Sequence, residues 1–115
     1  MAKIIIKYMQ IWLDDERDPD NPFIRRKFNS KTNMIWVKTV QEAKKLLQTG
    51  NVDYISFDND LGLPEEGKHL ARWIEEEAYF GRILKLDWVV HSQNTEGKKE
   101  IIAAMKNADK FWQLK

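Results

Sequence analysis

Asp14-Asp15-Glu16-Arg17, Asp58-Asn59-Asp60 and His91-Ser92-Gln93-Asn94 are the places where this chain could do chemistry. Each cluster follows directly on an apolar run: Ile11-Trp12-Leu13, Tyr54-Ile55-Ser56-Phe57 and Trp88-Val89-Val90. If those runs are parallel strands, their carboxyl ends share one edge of one sheet, where open parallel sheets place their ligand sites. Four aspartates, a histidine, a serine and an asparagine would then meet. Carboxylates at that density repel one another unless a cation or a proton intervenes. Hard oxygen donors suit Mg²⁺, Mn²⁺ or Ca²⁺, and Mg²⁺ in particular pairs one or two carboxylates with waters and phosphate oxygens.

Taken singly, each cluster has a plain structural explanation. Asp14 and Asp15 point to opposite faces in an extended chain, so both reach one cation only if the strand ends and turns there. The turn chemistry of Arg17-Asp18-Pro19-Asp20-Asn21-Pro22 supplies that condition. The alternative is one aspartate capping a turn and the other solvated. Asp58 and Asp60 share a face if the strand persists, or else form an Asx-type turn into Leu61-Gly62. His91 can serve as general acid or base. Ser92 and Asn94 precede a predicted helix, whose free amides would attract a phosphate; simple N-capping explains Asn94 or Thr95 equally well. Arg17, three residues past Asp14, can clamp a phosphate bidentately or pair with a carboxylate. Lys68 and His69, in the first turn of another predicted helix, are candidates of second rank. Trp12, Trp36, Trp73 and Trp88 fall on apolar faces and belong to the core; Trp112 is undecided.

The elements that must carry these residues alternate. Ile4–Leu13 reads as a strand, with Met9–Leu13 its buried part and Ile4-Ile5-Ile6 an extension at a sheet edge or an interface. Phe23–Phe28 forms a short helical turn with Phe23, Ile24 and Phe28 inward, and Asn29–Asn33 is loop. Met34–Val37 is the second strand. Thr39 and Glu42 match a capping box, in which each satisfies a free amide of the other. The helix that follows carries Val40, Ala43, Leu46 and Leu47 and stops near Gly50. Val52–Phe57 is nearly continuous in its apolarity, as expected of a strand covered on both faces. A helix from about Lys68 to Tyr79 buries Leu70, Trp73, Ile74 and Ala78 and ends at Gly81. Leu86–Val90 is the fourth strand, and a last helix from Thr95 carries Ile101, Ile102, Met105 and Ala108. This order predicts an α/β fold of about four mostly parallel strands between helices.

With 115 residues, 43% of them hydrophobic, the chain is expected to form one domain over positions 1–115. A formal net charge of +1 gives no global field toward nucleic acid or anionic membrane. Arg25-Arg26-Lys27 and Lys98-Lys99 are short basic clusters that read as solvated surface. The absence of cysteine excludes disulfides, thiolate catalysis and cysteine-based zinc sites. No run has the length of a membrane span or a signal-peptide core, so a cytoplasmic location is expected.

The arrangement resembles the receiver domain of two-component systems, with an acidic pair after strand one, an aspartate after strand three and a small hydroxyl residue after strand four. Residue by residue it is more similar to a divergent relative, the cyclic-phosphate processing receiver domain. Trp12-Leu13-Asp14-Asp15-Glu16-Arg17, Ile55-Ser56-Phe57-Asp58-Asn59-Asp60-Leu61-Gly62 and Val90-His91-Ser92-Gln93-Asn94 carry the likeness, with Gly97 just beyond. It spans about residues 9 to 106. The resemblance implies a receiver-like (flavodoxin-like) three-layer sandwich. It implies Asp14, Asp15 and Asp58 as the metal-binding group, Asp60 as a further ligand or base, and His91, Ser92 and Asn94 as phosphate-handling residues. Asn59 stands where the family often has histidine, and Thr95 where proline is common. The sequence also shows no fifth strand and no lysine of the kind signalling receivers use, which argues against a conventional switch.

Two functions are therefore expected to compete. One is a metal-dependent phosphoesterase, with Mg²⁺ or Mn²⁺, that hydrolyses a cyclic phosphate of nucleotide or RNA-end type, using His91, Asp58 and Asp60 catalytically and Arg17, Ser92 and Asn94 on the phosphate. The other is a non-catalytic module that binds a divalent cation, a phosphorylated ligand or a protein partner. The expected partner is a phosphate-containing small molecule or nucleotide, without a membrane or a strong nucleic-acid signal, and with homodimerisation through Ile4–Ile6 open.

Overall fold

The computed structural model describes residues 7–114. The Ile4–Ile6 extension lies outside the described residues. Eight elements follow in order: β1 (Met9–Leu13), α1 (Pro22–Phe28), β2 (Ile35–Val37), α2 (Val40–Leu47), β3 (Val52–Phe57), α3 (Gly67–Phe80), β4 (Asp87–Val90) and α4 (Thr95–Gln113). The four strands form one parallel sheet in the order β2-β1-β3-β4. This is the predicted α/β receiver-like architecture, with four strands among the described residues.

Strand alternation divides the sheet. Ile11 pairs with Ile35 on one side and Ile55 on the other, and Leu13 with Val37 and Phe57. These side chains face α2, α3 and α4 in one buried cluster with Val40, Leu47, Leu70, Ile74, Ile101 and Met105. The opposite face carries Trp12, flanked in register by Trp36 and Ser56. That face is covered only thinly. Helix α1 has no buried residue, and Phe23, expected inward, is 58% exposed. Seven residues with three cations in the last turn leave α1 too short and too polar to present an apolar stripe.

Local chemistry explains the boundaries. Asn21 caps α1 by accepting from the Phe23 and Ile24 amides, and Asn29 closes it in the left-handed region at φ 58°. Thr39 accepts from the Glu42 amide at 3.1 Å, but its hydroxyl donates to the Glu42 carboxylate at 3.2 Å, so only half of the expected reciprocal box forms. Gly81 ends α3 at φ 69°, a conformation glycine adopts without the Cβ penalty. Trp112, undecided from sequence, packs on the core and donates its indole N–H to the Ile83 carbonyl at 3.4 Å. Among the described residues no helix is long and apolar enough to cross a membrane.

Strand order also fixes where a site can form. From β1 the chain moves outward to β2, and from β3 it moves the other way to β4. The crevice between the carboxyl ends of β1 and β3 is thus the topological switch point of an open α/β sheet. Asp14 follows β1 there and Asp58 follows β3.

Candidate metal and phosphate site

Asp14 is fully buried, and its carboxylate is the most heavily bonded group in the crevice. Its Oδ1 accepts from the backbone amides of Glu16 and Arg17, both at 2.9 Å. Its Oδ2 accepts from Arg17 Nη1 at 3.2 Å and from His91 Nε2 at 3.0 Å. The turn-capping explanation of this residue therefore holds, and the same carboxylate still lies beside the other acids. Two tryptophans secure the turn: the Trp12 indole donates to the Arg17 carbonyl at 2.8 Å, and the Trp36 indole to the Asp14 carbonyl at 2.7 Å.

His91 sits behind the acids, 7% exposed. Its ring stacks on Trp12 at a centroid distance of 3.7 Å and an interplanar angle of 5°, and meets the Phe28 edge at 5.9 Å. Nδ1 lies 2.7 Å from Ser56 Oγ. Burial pushes the imidazole below its usual range against the pull of the Asp14 carboxylate, so the ring is neutral at pH 7. An ionised carboxylate can only accept, which places the proton on Nε2 and makes Ser56 the donor to Nδ1. Burial alone would raise the Asp14 carboxyl. The bonds from His91 and the two backbone amides outweigh it and hold the group below the carboxylate norm.

Asp58, 4% exposed, behaves in the opposite way. Burial and the neighbouring Asp14 charge push it up to about 6, against Arg17 at 3.6 Å and a hydrogen bond from Ser92. One oxygen each of Asp14, Asp15 and Asp58 lie within 4.8 Å of one another. Three hard donors of like charge, one of them reluctant to ionise, match what a divalent cation requires. The three could hold such an ion. Gly62 keeps the Asp15 side open: a Cβ there would stand 3.3 Å from Asp15 Oδ2.

These residues open on a cleft of about 470 Å³ lined by Asp15, Arg17, Asp58, Asp60, Gln93 and Asn94, among others. Arg17 spans it, reaching Asp14, Asp58 and, through Nη2, Gln93 Oε1 at 3.3 Å, with Phe28 4.8 Å beneath its guanidinium. Asp60 stands at the rim, where Asn94 Nδ2 donates to it at 3.0 Å. Asn94 also caps α4 by accepting from the Gly97 amide at 3.0 Å, and Ser92 Oγ accepts from the Asn94 amide at 3.1 Å. Lys68 and His69 stay outside. Lys68 pairs with Glu66 and Glu100, and His69 Nδ1 accepts from the Glu66 amide at 2.8 Å.

Three contributors carry little or no signal in the sequence. Ser56 fixes the His91 tautomer, and its signal was a hydroxyl inside an otherwise apolar strand. Gln93 holds Arg17, with no signal beyond its place in the motif. Asn59 is wedged between two helix starts. Its carbonyl accepts from the Gly67 amide at 2.8 Å and its Oδ1 from the Lys68 amide at 3.1 Å. Its side chain lies where a Cβ on Gly97 would be, at 2.3 Å. Gly67 in turn approaches the Asp58 carbonyl so closely that a Cβ would lie 2.0 Å from it. The two glycines let α3 and α4 press their N-termini onto the loop that carries Asp58.

The family model of the cyclic-phosphate processing receiver domain matches residues 9–107. The chain belongs to this family. No match is found among curated proteins or among solved structures. In this cyclic-phosphate processing receiver domain the three family-like motifs converge as the order of strands requires. Asn59 is used here as a helix-docking residue.

Proposed function

We propose that this domain is a divalent-cation-dependent phosphoesterase that opens a cyclic phosphate by hydrolysis. The convergence of Asp14, Asp15 and Asp58 beside the Arg17 guanidinium is the observation that carries this reading. Mg²⁺ or Mn²⁺ bound by these carboxylates would polarise a phosphate oxygen and acidify water. The chain's own groups complete the reaction. Arg17 leaves its carboxylate partners to take a phosphate oxygen, and Ser92 and the α4 amides oppose the charge that develops on phosphorus. The water oxygen bonds to phosphorus, one ring P–O bond breaks, and the departing alkoxide takes up the proton that the water gives up. We assign Asp60, exposed and lining the cleft, to accepting the water proton and passing it to the alkoxide. His91 has both nitrogens committed, to Ser56 and Asp14. We therefore assign it to holding Asp14 ionised and oriented, in place of the general-acid role expected from sequence.

The test is turnover of a panel of cyclic mononucleotides and cyclic-ended oligonucleotides with Mg²⁺ or Mn²⁺, with and without chelator. Chelation and Asp58→Asn are each expected to lower the rate at least 100-fold while the circular dichroism spectrum is unchanged. Full activity in the variant overturns the mechanism. One observation favours a second reading, a non-catalytic phosphate-binding module: Arg17 already pairs with Asp14 and Asp58, which offsets part of the crevice charge without a cation. Cation and phosphate binding with no turnover of any panel member would select it.

A further inference from the structure

A second cleft, of about 410 Å³, lies on the other side of the Ser92-Gln93 turn and has the opposite charge. Lys27 from α1 and Lys98 from α4 line it with Phe28, Tyr54, Val89 and Gln93, and no acidic residue lines it. The first cleft contains Asp15, Glu16, Asp58 and Asp60. Gln93 belongs to both, and Ser92, which lines the basic cleft, bonds to Asp58 in the acidic one. The two basic clusters that read as ordinary surface in the sequence thus each send one lysine to the same cleft. Neither lysine forms an ion pair among the described residues, whereas Lys68 and Lys99 both do. The Lys27 ammonium lies 5.5 Å from the Phe28 ring centroid. Lys31, outside the lining, lies 3.9 Å over the Tyr54 ring.

We propose that the basic cleft is a subsite for a second phosphate of the substrate. The ester that reacts at the acidic crevice carries another phosphate, which sits between Lys27 and Lys98. Phe28, Tyr54 and Val89 contact the sugar or base between the two. Unpaired ammonium groups over an apolar floor suit an anion joined to a flat organic group, and the shared Gln93 makes the clefts one continuous surface. Two sources supply this chemistry: the next phosphodiester of a strand, or a 5′-phosphate on the same nucleotide. The proposal rests on the phosphoester reading of the acidic crevice.

Binding to the Asp58→Asn protein, by calorimetry at low salt, separates the alternatives. The probes are a nucleoside 2′,3′-cyclic phosphate, the same compound with a 5′-phosphate, and a dinucleotide ending in the same cyclic group. At least one of the two probes with a second phosphate is expected to bind about tenfold more tightly than the first, the size of one or two charge-assisted contacts. Which of them gains identifies the source. The gain should vanish in Lys27→Gln/Lys98→Gln, two exposed positions whose change leaves the core intact, with the affinity of the first probe unchanged. Inorganic phosphate is the independent probe: it should shift the backbone amide resonances of Asn29, Gln93 and Lys98 in the wild-type protein and not in the double variant. Equal affinity of all three compounds, a gain that survives the lysine changes, or no phosphate-induced shift overturns the subsite. Turnover without the gain removes this proposal alone. Phosphate shifts that need the lysines, without binding or turnover of any cyclic probe, remove the hydrolase reading and leave an anion site.

Discussion

Asp58 holds the sharpest tension at the level of single residues. Its carboxyl is raised from an ordinary 3.8 to about 6 by burial and by the Asp14 charge. In the unfolded chain the same group ionises near its ordinary value, so between these limits the native state binds the extra proton. A raised carboxyl contributes stability that is complete below about pH 4 and is lost as pH rises through about 6. The gap amounts to about 3 kcal/mol of destabilisation by the ionised form at pH 7.5. Asp58→Asn is therefore expected to raise the melting temperature in metal-free buffer at pH 7.5 by several degrees. The advantage should shrink or disappear at pH 4, which thermal melts at the two pH values would show. A variant less stable than the parent at pH 7.5 would mean that Arg17 and Ser92 more than offset the burial. Asp14 has the opposite sign. Its depressed carboxyl contributes stability above its ordinary value and loses it only as pH falls through the lower native value.

At the level of elements, the site depends on how closely two helices approach one loop. Helices α3 and α4 bring their first turns onto Asp58-Asn59, and glycine at 67 and 97 is what the approach requires. Gly67→Ala puts a methyl against the Asp58 carbonyl, which is backbone and cannot rotate away. Gly97→Ala puts one against the Asn59 side chain, which has some freedom. The first change is expected to cost about 2–3 kcal/mol and the second less, since forced overpacking typically costs 1–3 kcal/mol. Urea unfolding of both variants measures the order, and an equal or reversed cost would show that the loop yields where the side chain does not. Because Gly67 touches the Asp58 backbone, its variant should also weaken cation binding, whereas an ordinary surface glycine would leave that affinity unchanged.

At the level of the whole molecule, the same crevice links folding to ligand. A cation that binds only the native crevice stabilises by mass action, about 2.7 kcal/mol at a hundredfold excess over its dissociation constant. Mg²⁺ is therefore expected to raise the melting temperature at pH 7.5, and chelator to reverse the rise. At pH 5 the Asp58 proton competes and the rise should be smaller. No shift in tens of millimolar Mg²⁺ or Mn²⁺ at pH 7.5 would remove the metal from the proposed function. The sheet's second face belongs to this scale too. Among the described residues α1 and its loops lie across it, α1 has no buried residue, and the basic cleft forms there.

What the sequence determined by itself was local. Apolar runs that stop at Leu13, Phe57 and Val90 placed the strand ends, and residue type at those ends named carboxylate and phosphate chemistry. Alternation and helical spacing are properties of neighbours along the chain, so β3 is legible to its last residue and the α3 and α4 stripes nearly so. Tertiary structure alone decided the partnerships. His91 meets Ser56 across 35 positions and Asp14 across 77, and those two bonds, not its residue type, are the ground on which we assign it to holding Asp14. Asn59 became a wedge only once two helix starts closed on it, and Phe23 turned outward because α1 had no apolar stripe to bury. Lys27 and Lys98 acquired meaning only when the fold set them on one cleft. Distance in sequence carries no information about such meetings, because they are made by the packing of elements and not by the spacing within them.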